Sequence, residues 1–177
     1  MELNELQKDC ARRQKKGLHF ILSSVVIWGL ILGAHLTHLG IETKNLITFC
    51  CSAILFPLAW GLAKALKIDF AGKGNPLTKA GILFSVNQML YILIAMWVFA
   101  AVPEKMLMVY AMIFGAHLMP FSWLYQSKSY LVFSIVIPIL SLVVGLMFPP
   151  FVLAAVMVFV EWVFAFLLYR ECKRIPE

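Results

Sequence analysis

Glu161 is the residue whose type and position most clearly indicate chemistry. It is the only acid within the apolar runs of the chain and lies near the middle of residues 150–169. An ionised carboxylate at that depth in hydrocarbon costs at least about 2.5–3.5 kcal/mol, so such residues face protein or water and often carry protons or bind cations. A protonated Glu161 with a purely structural hydrogen bond to another helix is the alternative. Ala154 and Ala165 share its helical sector, which predicts that Glu161 faces other helices.

Three histidines form the second set of candidate groups. His35 and His38 are three residues apart, which predicts that they share one helix face, and with Glu161 they could begin a metal site. However, His35 falls in the outer third of its apolar run, whereas His117 falls nearer the inner half of another run. We therefore predict that His35 and His117 do not share a metal, and we expect no metal and no cofactor.

Asn87 and Gln88 complete the candidate intramembrane polar site, together with Glu161, His117 and His35. Because adjacent residues of a helix point in different directions, one amide is expected to form an interhelical hydrogen bond worth roughly 1 kcal/mol. The other could line a cavity, and periodicity does not say which. Asn87, Gln88 and His117 are also the predicted hydrogen-bond partners of Glu161. Motifs for a serine nucleophile, a phosphate-binding loop or a cysteine-based metal site are not found.

The apolar runs that must position these groups are long enough to cross a bilayer. Hydrophobic residues make up 62% of the 177-residue chain, charged residues make up 14%, and the mean hydropathy is +0.89. Soluble domains have about 45–50% apolar and about 25% charged residues. The pattern predicts an all-α polytopic bundle of about six transmembrane helices of ~20 residues. The predicted spans are residues 18–39, 46–66, 80–102, 106–124, 130–148 and 150–169.

The lysines and arginines predict the orientation of this bundle. With the N-terminus inside and six crossings, 13 of the 15 basic residues fall on the inner side, and only Lys44 and Lys105 fall outside. Such an excess is typical of cytoplasmic segments. We therefore predict that both termini are cytoplasmic. The inner set is Lys8, Arg12, Arg13, Lys15, Lys16, Lys64, Lys67, Lys73, Lys79, Lys128, Arg170, Lys173 and Arg174.

The predicted organisation has a basic cytoplasmic segment at 1–17, a transmembrane domain at 18–170 and a cytoplasmic tail at 171–177. Residues 1–17 could form a short amphipathic helix on the inner leaflet or a frayed basic tail that sets topology. The apolar run that begins at Leu18 is too long for the core of a cleavable signal peptide, so we interpret it as a true span.

Small residues and prolines predict how the helices pack. Gly29 and Gly33 have the spacing that lets transmembrane helices approach closely, and we expect ordinary bundle packing there. Pro57, Pro120 and Pro138 lie within or near spans, where each frees a backbone carbonyl and favours a kink.

One short sequence recurs in the two halves of the chain. Gly33-Ala34-His35-Leu36 matches Gly115-Ala116-His117-Leu118. The match is compatible with an inverted repeat of three spans each, and equally with chance in so biased a composition.

The stretch from Gly115 to Tyr125, with the basic tail and the six-span layout, resembles small uncharacterised bacterial membrane proteins. The resemblance implies a stand-alone, multi-pass protein of the bacterial inner membrane with no established activity, and it assigns no functional residues.

The function that these residues favour is transport or permeation of a small solute or ion, proton-linked through Glu161. One alternative is a membrane-embedded enzyme that uses His35, His117 and Glu161 on a lipid-like substrate. Another is a non-catalytic immunity, sensor or assembly subunit. The expected partner is the lipid bilayer, and a homo-oligomer is left open. Nucleic acid is not expected as a partner, because the cations lie at the ends of apolar runs.

Overall fold

The computed structural model describes residues 2–70 and 74–175, and these residues form an all-α bundle. Lys73, which we assigned to the inner side, and the last two residues of the predicted tail lie outside the described residues. The α-helices, in chain order, are α1 (Leu3–Arg13), α2 (Leu18–His35), α3 (Ile41–Ala53), α4 (Leu55–Ala65), α5 (Leu77–Ala101), α6 (Met106–Ala116), α7 (Met119–Leu124), α8 (Lys128–Met147) and α9 (Pro150–Lys173).

Six helical stretches of the described residues are long and apolar enough to cross a membrane, which confirms the predicted architecture. Two of them are helix pairs, α3 with α4 and α6 with α7. The chain is therefore a multi-pass membrane protein by length and composition. The spans are Lys15–His35, Ile41–Ala65, Leu77–Ala101, Pro103–Leu124, Lys128–Met147 and Pro150–Lys173.

Prolines account for the two interrupted spans. The break between α3 and α4 falls at Ile54, three residues before Pro57, whose nitrogen has no proton to donate to the preceding turn. The break between α6 and α7 falls just before Pro120, which occupies the first turn of α7. Pro138, in contrast, lies inside the continuous helix α8, and the kink expected there stays a prediction.

The most extensive helix contacts are between α2 and α9 and between α6 and α8. Two glycines let α6 and α8 approach closely. A Cβ atom on Gly115 would lie 2.5 Å from Pro138, and one on Gly145 would lie 2.4 Å from Met108. The expectation that Gly29 and Gly33 are packing positions is wrong, because no atom lies within 4 Å of either Cβ position and both residues are exposed.

Helix α5 packs loosely against the bundle and presents a broad apolar surface outward. Leu83 is 64% exposed, and Trp97 is 69% exposed. Its contacts are chiefly with α6, α7, α1 and the turn before α6. It does not contact α4 extensively. A cleft is therefore left between α4 and α5.

Helix α1 and the last turns of α9 lie at the same end of the bundle, which we call the terminal end. Glu171 of α9 accepts hydrogen bonds from Lys16 Nζ at 2.9 Å and Ser127 Oγ at 2.7 Å. The amphipathic helix α1 covers this end, where Gln7 Nε2 donates to the Trp123 carbonyl at 2.8 Å and Asn75 Nδ2 donates to the Leu6 carbonyl at 2.9 Å. Residues 3–13 thus form a helix docked on the bundle. Which side of the membrane the terminal end faces stays a prediction.

Candidate functional site

Glu161 is fully buried between α9 and α2, where its partner is a serine. The exposed fraction of Glu161 is 0%, and that of Ser24 on α2 is 4%. Oε2 of Glu161 accepts a hydrogen bond from Ser24 Oγ, whereas Oε1 has no partner among the described residues. Glu161 thus faces the bundle interior, but its partner is none of the three side chains that we predicted.

The same serine hydroxyl also lies 2.7 Å from the Ile21 carbonyl oxygen of its own helix. A serine hydroxyl has one proton, so it donates to only one of these two oxygens at a time. When Glu161 is ionised, Ser24 donates to the carboxylate. When Glu161 is protonated, it can donate to Ser24, and Ser24 then donates to the Ile21 carbonyl. The direction of this hydroxyl can therefore change when Glu161 gains or loses a proton.

Ser24 also borders a cavity of about 100 Å³ in the middle of the bundle, which we call the inner chamber. The chamber is lined by residues of α2 to α8, and its wall combines aromatic rings with hydroxyl and amide groups. Ser52 and Tyr110 line it as a hydroxyl pair 2.6 Å apart. Besides its tyrosines, the chamber is lined by four further polar residues, which are Ser24, Ser85, Gln88 and His117.

A second cavity of about 360 Å³, the outer chamber, adjoins the inner chamber on the terminal side. Phe56, Ser85 and Met89 line both chambers. One wall of the outer chamber is a face of α5, on which Val86 is 54% exposed. The outer chamber therefore lies in the cleft between α4 and α5, at the surface that the bundle turns toward lipid.

Residues near the junction of α1 and α2 border both chambers on their terminal side. Tyr125 OH donates to Gln14 Oε1 at 2.7 Å, and Tyr130 OH donates to the Lys16 carbonyl at 3.0 Å. Gly17 adopts φ = +71°, and a Cβ there would lie 3.0 Å from the Tyr130 hydroxyl. This position therefore favours glycine for its backbone conformation, and an added Cβ would crowd the Tyr130 hydroxyl.

The two adjacent amides of α5 have different surroundings, as predicted. Gln88 lines the inner chamber. Asn87 is exposed on the outer surface, where its Nδ2 donates to the hydroxyl of Tyr91 at 3.0 Å. The prediction that one amide bonds another helix is wrong for Asn87, because Tyr91 is four residues along the same helix.

The histidines are distributed over separate environments. His35 is buried at the far end of α2, with Nε2 3.3 Å from Thr48 Oγ1. His117 lies beside the inner chamber, where its Nδ1 contacts the Phe114 carbonyl and its ring lies edge-on to that of Phe114. In residues 2–70 and 74–175, no three His, Cys, Asp or Glu side chains are grouped so that they could hold a metal.

The expectation that His35 and His38 share one helix face is wrong. Helix α2 ends at His35, so the exposed His38 lies beyond the helix and shares no helical face with His35. The helix ends there because both the backbone nitrogen and the hydroxyl of Thr37 donate to the Ala34 carbonyl. His19, at the start of the same span, is buried against the ring of Phe70.

Sequence reasoning missed Ser24, the hydroxyl pair and the two chambers. A partial signal was present, since Phe20, Ser24 and Trp28 recur at the spacing of one helix face. The sequence does not show which helices lie opposite that face, so the spacing alone did not predict the chambers.

Comparison with known proteins identifies the family of the chain but gives no activity. No curated protein matches the chain, and no solved structure matches it. A model of a family of unknown function, DUF7010, matches residues 3–171 and so covers nearly the whole bundle. The chain therefore belongs to the DUF7010 family.

Proposed function

We propose that the protein transports a small solute across the membrane and that a proton carried by Glu161 is coupled to this movement. The observation that supports the proposal most directly is the position of Ser24, which borders the inner chamber and contacts the Glu161 carboxylate. A ligand in the chamber and a proton on Glu161 would thus be separated by one hydroxyl group.

Coupling follows from the single proton of Ser24. An ionised Glu161 draws the hydroxyl proton toward itself, whereas a protonated Glu161 releases it to the Ile21 carbonyl. The lone pairs that Ser24 presents to the chamber differ between the two states. A solute that interacts with this hydroxyl therefore has a different affinity in each state, which is the requirement for coupled binding.

The proton exchange that we propose for Glu161 involves few groups. Ser24 is its hydrogen-bond partner on α2, and Tyr130 on α8 is a titratable side chain close enough to sense its charge. The ion pair of Lys16 and Glu171 lies at the terminal end of the bundle, ten residues from Glu161 along α9. Exchange of a proton at Glu161 needs only the carboxylate, the Ser24 hydroxyl and a proton acceptor in the chamber.

The experiment uses proteoliposomes loaded with a pH-sensitive dye and held at an imposed proton gradient. The solutes tested are choline, methanesulfonate and glycerol, and their amphipathic counterparts octyltrimethylammonium, octanesulfonate and octyl glucoside. We expect at least one solute to drive proton movement in the wild-type protein. Glu161→Gln should abolish that movement while keeping the fold, because the amide preserves shape and hydrogen bonding but does not ionise.

Glu104→Gln is the matched control, because Glu104 is exposed at the opposite end of the bundle and lines neither chamber. It should behave as the wild type. Transport with proton coupling is rejected if no solute moves protons, or if Glu161→Gln responds as the wild type does.

A further inference from the structure

We infer that the ligand of the two chambers is an amphipathic organic cation with a single apolar tail. This assignment rests on the proposed function and names its substrate class. The cationic head would lie in the inner chamber, and the tail would lie in the outer chamber between α4 and α5.

The wall of the inner chamber favours a cation. Aromatic rings supply much of the lining, including those of Trp28, Tyr110 and Phe114. The faces of aromatic rings attract cations, and the attraction is strongest where water is excluded. Behind this wall lies the buried carboxylate of Glu161, with one oxygen that has no partner among the described residues.

An anionic head has no counterpart in either chamber. None of the described lining residues of the two chambers is a lysine, arginine, aspartate or glutamate. The nearby cations of the terminal end are engaged elsewhere: Lys16 pairs with Glu171 at 2.9 Å, and Lys15 Nζ donates to the Leu66 carbonyl at 2.7 Å. An anion in the inner chamber would therefore lose its hydration and gain no opposite charge.

The size of the inner chamber restricts the head. Its volume is about 100 Å³. A cavity of about 150 Å³ in another protein holds one benzene molecule, so the head must be somewhat smaller than benzene. A trimethylammonium group meets this limit, and it needs no hydrogen-bond acceptor because it carries no N–H.

The outer chamber has the properties expected of a site for the tail. It measures about 360 Å³, and its α5 wall is formed by Ile82, Ser85, Val86 and Met89, which recur on one helix face. Phe56 lies on the α4 side and lines both chambers, so a linear molecule could occupy the two chambers at once.

The exposure of this wall indicates how such a molecule would enter. Ile82 is 58% exposed, Val86 is 54% exposed and Phe56 is 50% exposed, although all three line the outer chamber. The cleft is therefore open on the side that the bundle turns toward hydrocarbon. An amphiphile dissolved in the membrane would reach the chamber laterally, through this exposed side of the cleft.

The first experiment compares octyltrimethylammonium with octanesulfonate, which has the same tail and the opposite charge, and with choline, which has the head without the tail. Binding to the protein in nanodiscs is measured by calorimetry, and the signal of empty nanodiscs is subtracted. We expect octyltrimethylammonium to bind at least about tenfold more tightly than either comparison compound, and Glu161→Gln to weaken it by about tenfold.

The second experiment tests the cleft with a matched pair of tryptophan substitutions on α5. Val86→Trp fills the outer chamber and should weaken binding of octyltrimethylammonium by about tenfold or more. Leu83→Trp lies on the same helix, is 64% exposed in the wild type and lines neither chamber, so it should bind as the wild type does.

Equal or tighter binding of octanesulfonate would overturn the inference, as would equal effects of the two tryptophan substitutions. A wrong substrate class can be distinguished from a failure of the proposed transport function. If a different solute drives proton movement that Glu161→Gln abolishes, the proposed function stands and only the substrate class is wrong. If no solute drives it, the proposed function itself fails.

Discussion

Ser24 Oγ on α2 contacts Glu161 Oε2 on α9 across the most extensive helix interface of the bundle. Both side chains are almost completely buried, and Ser24 also borders the inner chamber. This contact connects the one acid of the apolar runs to the interior space. The hydroxyl satisfies one of the carboxyl oxygens, which reduces the free-energy cost of burying this group.

Ser24→Ala should destabilise the protein by about 1–3 kcal/mol, because it leaves a buried carboxyl group without its partner. It should also weaken any proton movement that depends on Glu161. The measurement is unfolding in mixed micelles combined with the proteoliposome assay. Ser23→Ala is the control, since Ser23 is equally buried but donates only to the His19 carbonyl of its own helix at 2.7 Å. Equal effects of the two variants would contradict the assignment.

Gly115→Ala should destabilise the packing of α6 on α8. The added Cβ would lie 2.5 Å from Pro138 and 2.6 Å from Ile137, both on α8, so the helices must separate. Overpacking of this kind costs about 1–3 kcal/mol. Gly33→Ala is the control, because nothing lies within 4 Å of its Cβ position and alanine is the better helix former. Thermal unfolding in detergent should show a lower midpoint for Gly115→Ala only.

Glu171→Gln should loosen the terminal end. The carboxylate of Glu171 holds Lys16 at 2.9 Å and the Ser129 hydroxyl at 2.6 Å, and the Lys16 side chain is only 11% exposed. Loss of the charge leaves a largely buried ammonium group without its counterion, which costs about 2–3 kcal/mol. Arg170→Gln, at an exposed position of the same helix turn, should be nearly silent. Stability that is unchanged in Glu171→Gln would show that the ion pair contributes nothing.

Docking of α1 should weaken in acid. The pKa of Asp9 is lowered by its hydrogen bond from Arg13 and by a second bond from Asn75 Nδ2 at 2.9 Å. Because the folded pKa is below the unfolded value of 3.8, the stabilisation is complete above that value and is lost as the pH falls through the folded pKa.

Hydrogen exchange of the α1 amides measures this effect, and exchange should accelerate selectively at pH values below about 3.8 after correction for intrinsic rates. Asp9→Asn should remove the selective acid response, because an amide does not titrate. An acid response of the same size in Asp9→Asn would assign the effect to another group.

The terminal end is predicted to face the cytoplasm. The reason is the distribution of lysines and arginines, of which only Lys44 and Lys105 fall on the opposite side. Reporter fusions after Glu42, Lys128 and Glu177 would measure the location of each segment. Fusions at Lys128 and Glu177 should report the cytoplasm, and the one at Glu42 should report the outside. A reporter at Glu177 that is active only outside would reverse the orientation.

The sequence by itself determined the number of helices that can cross a membrane and, to within about five residues, where they begin and end. Those features depend on run length and apolar content, which are local properties of the chain, and prolines such as Pro57 and Pro120 gave the places of the two helix breaks. The inward orientation of Glu161 was also predictable, because hydrocarbon does not solvate a carboxylate.

The tertiary structure alone decided which side chains meet. In helices that are apolar on every side, periodicity does not distinguish a face toward lipid from a face toward protein, because lipid is as apolar as leucine. For that reason Gly29 was expected inside and lies outside, and Gln88 could not be told from Asn87. The partnership of Ser24 with Glu161 joins positions 137 residues apart, and only the packing of α2 on α9 brings them into contact.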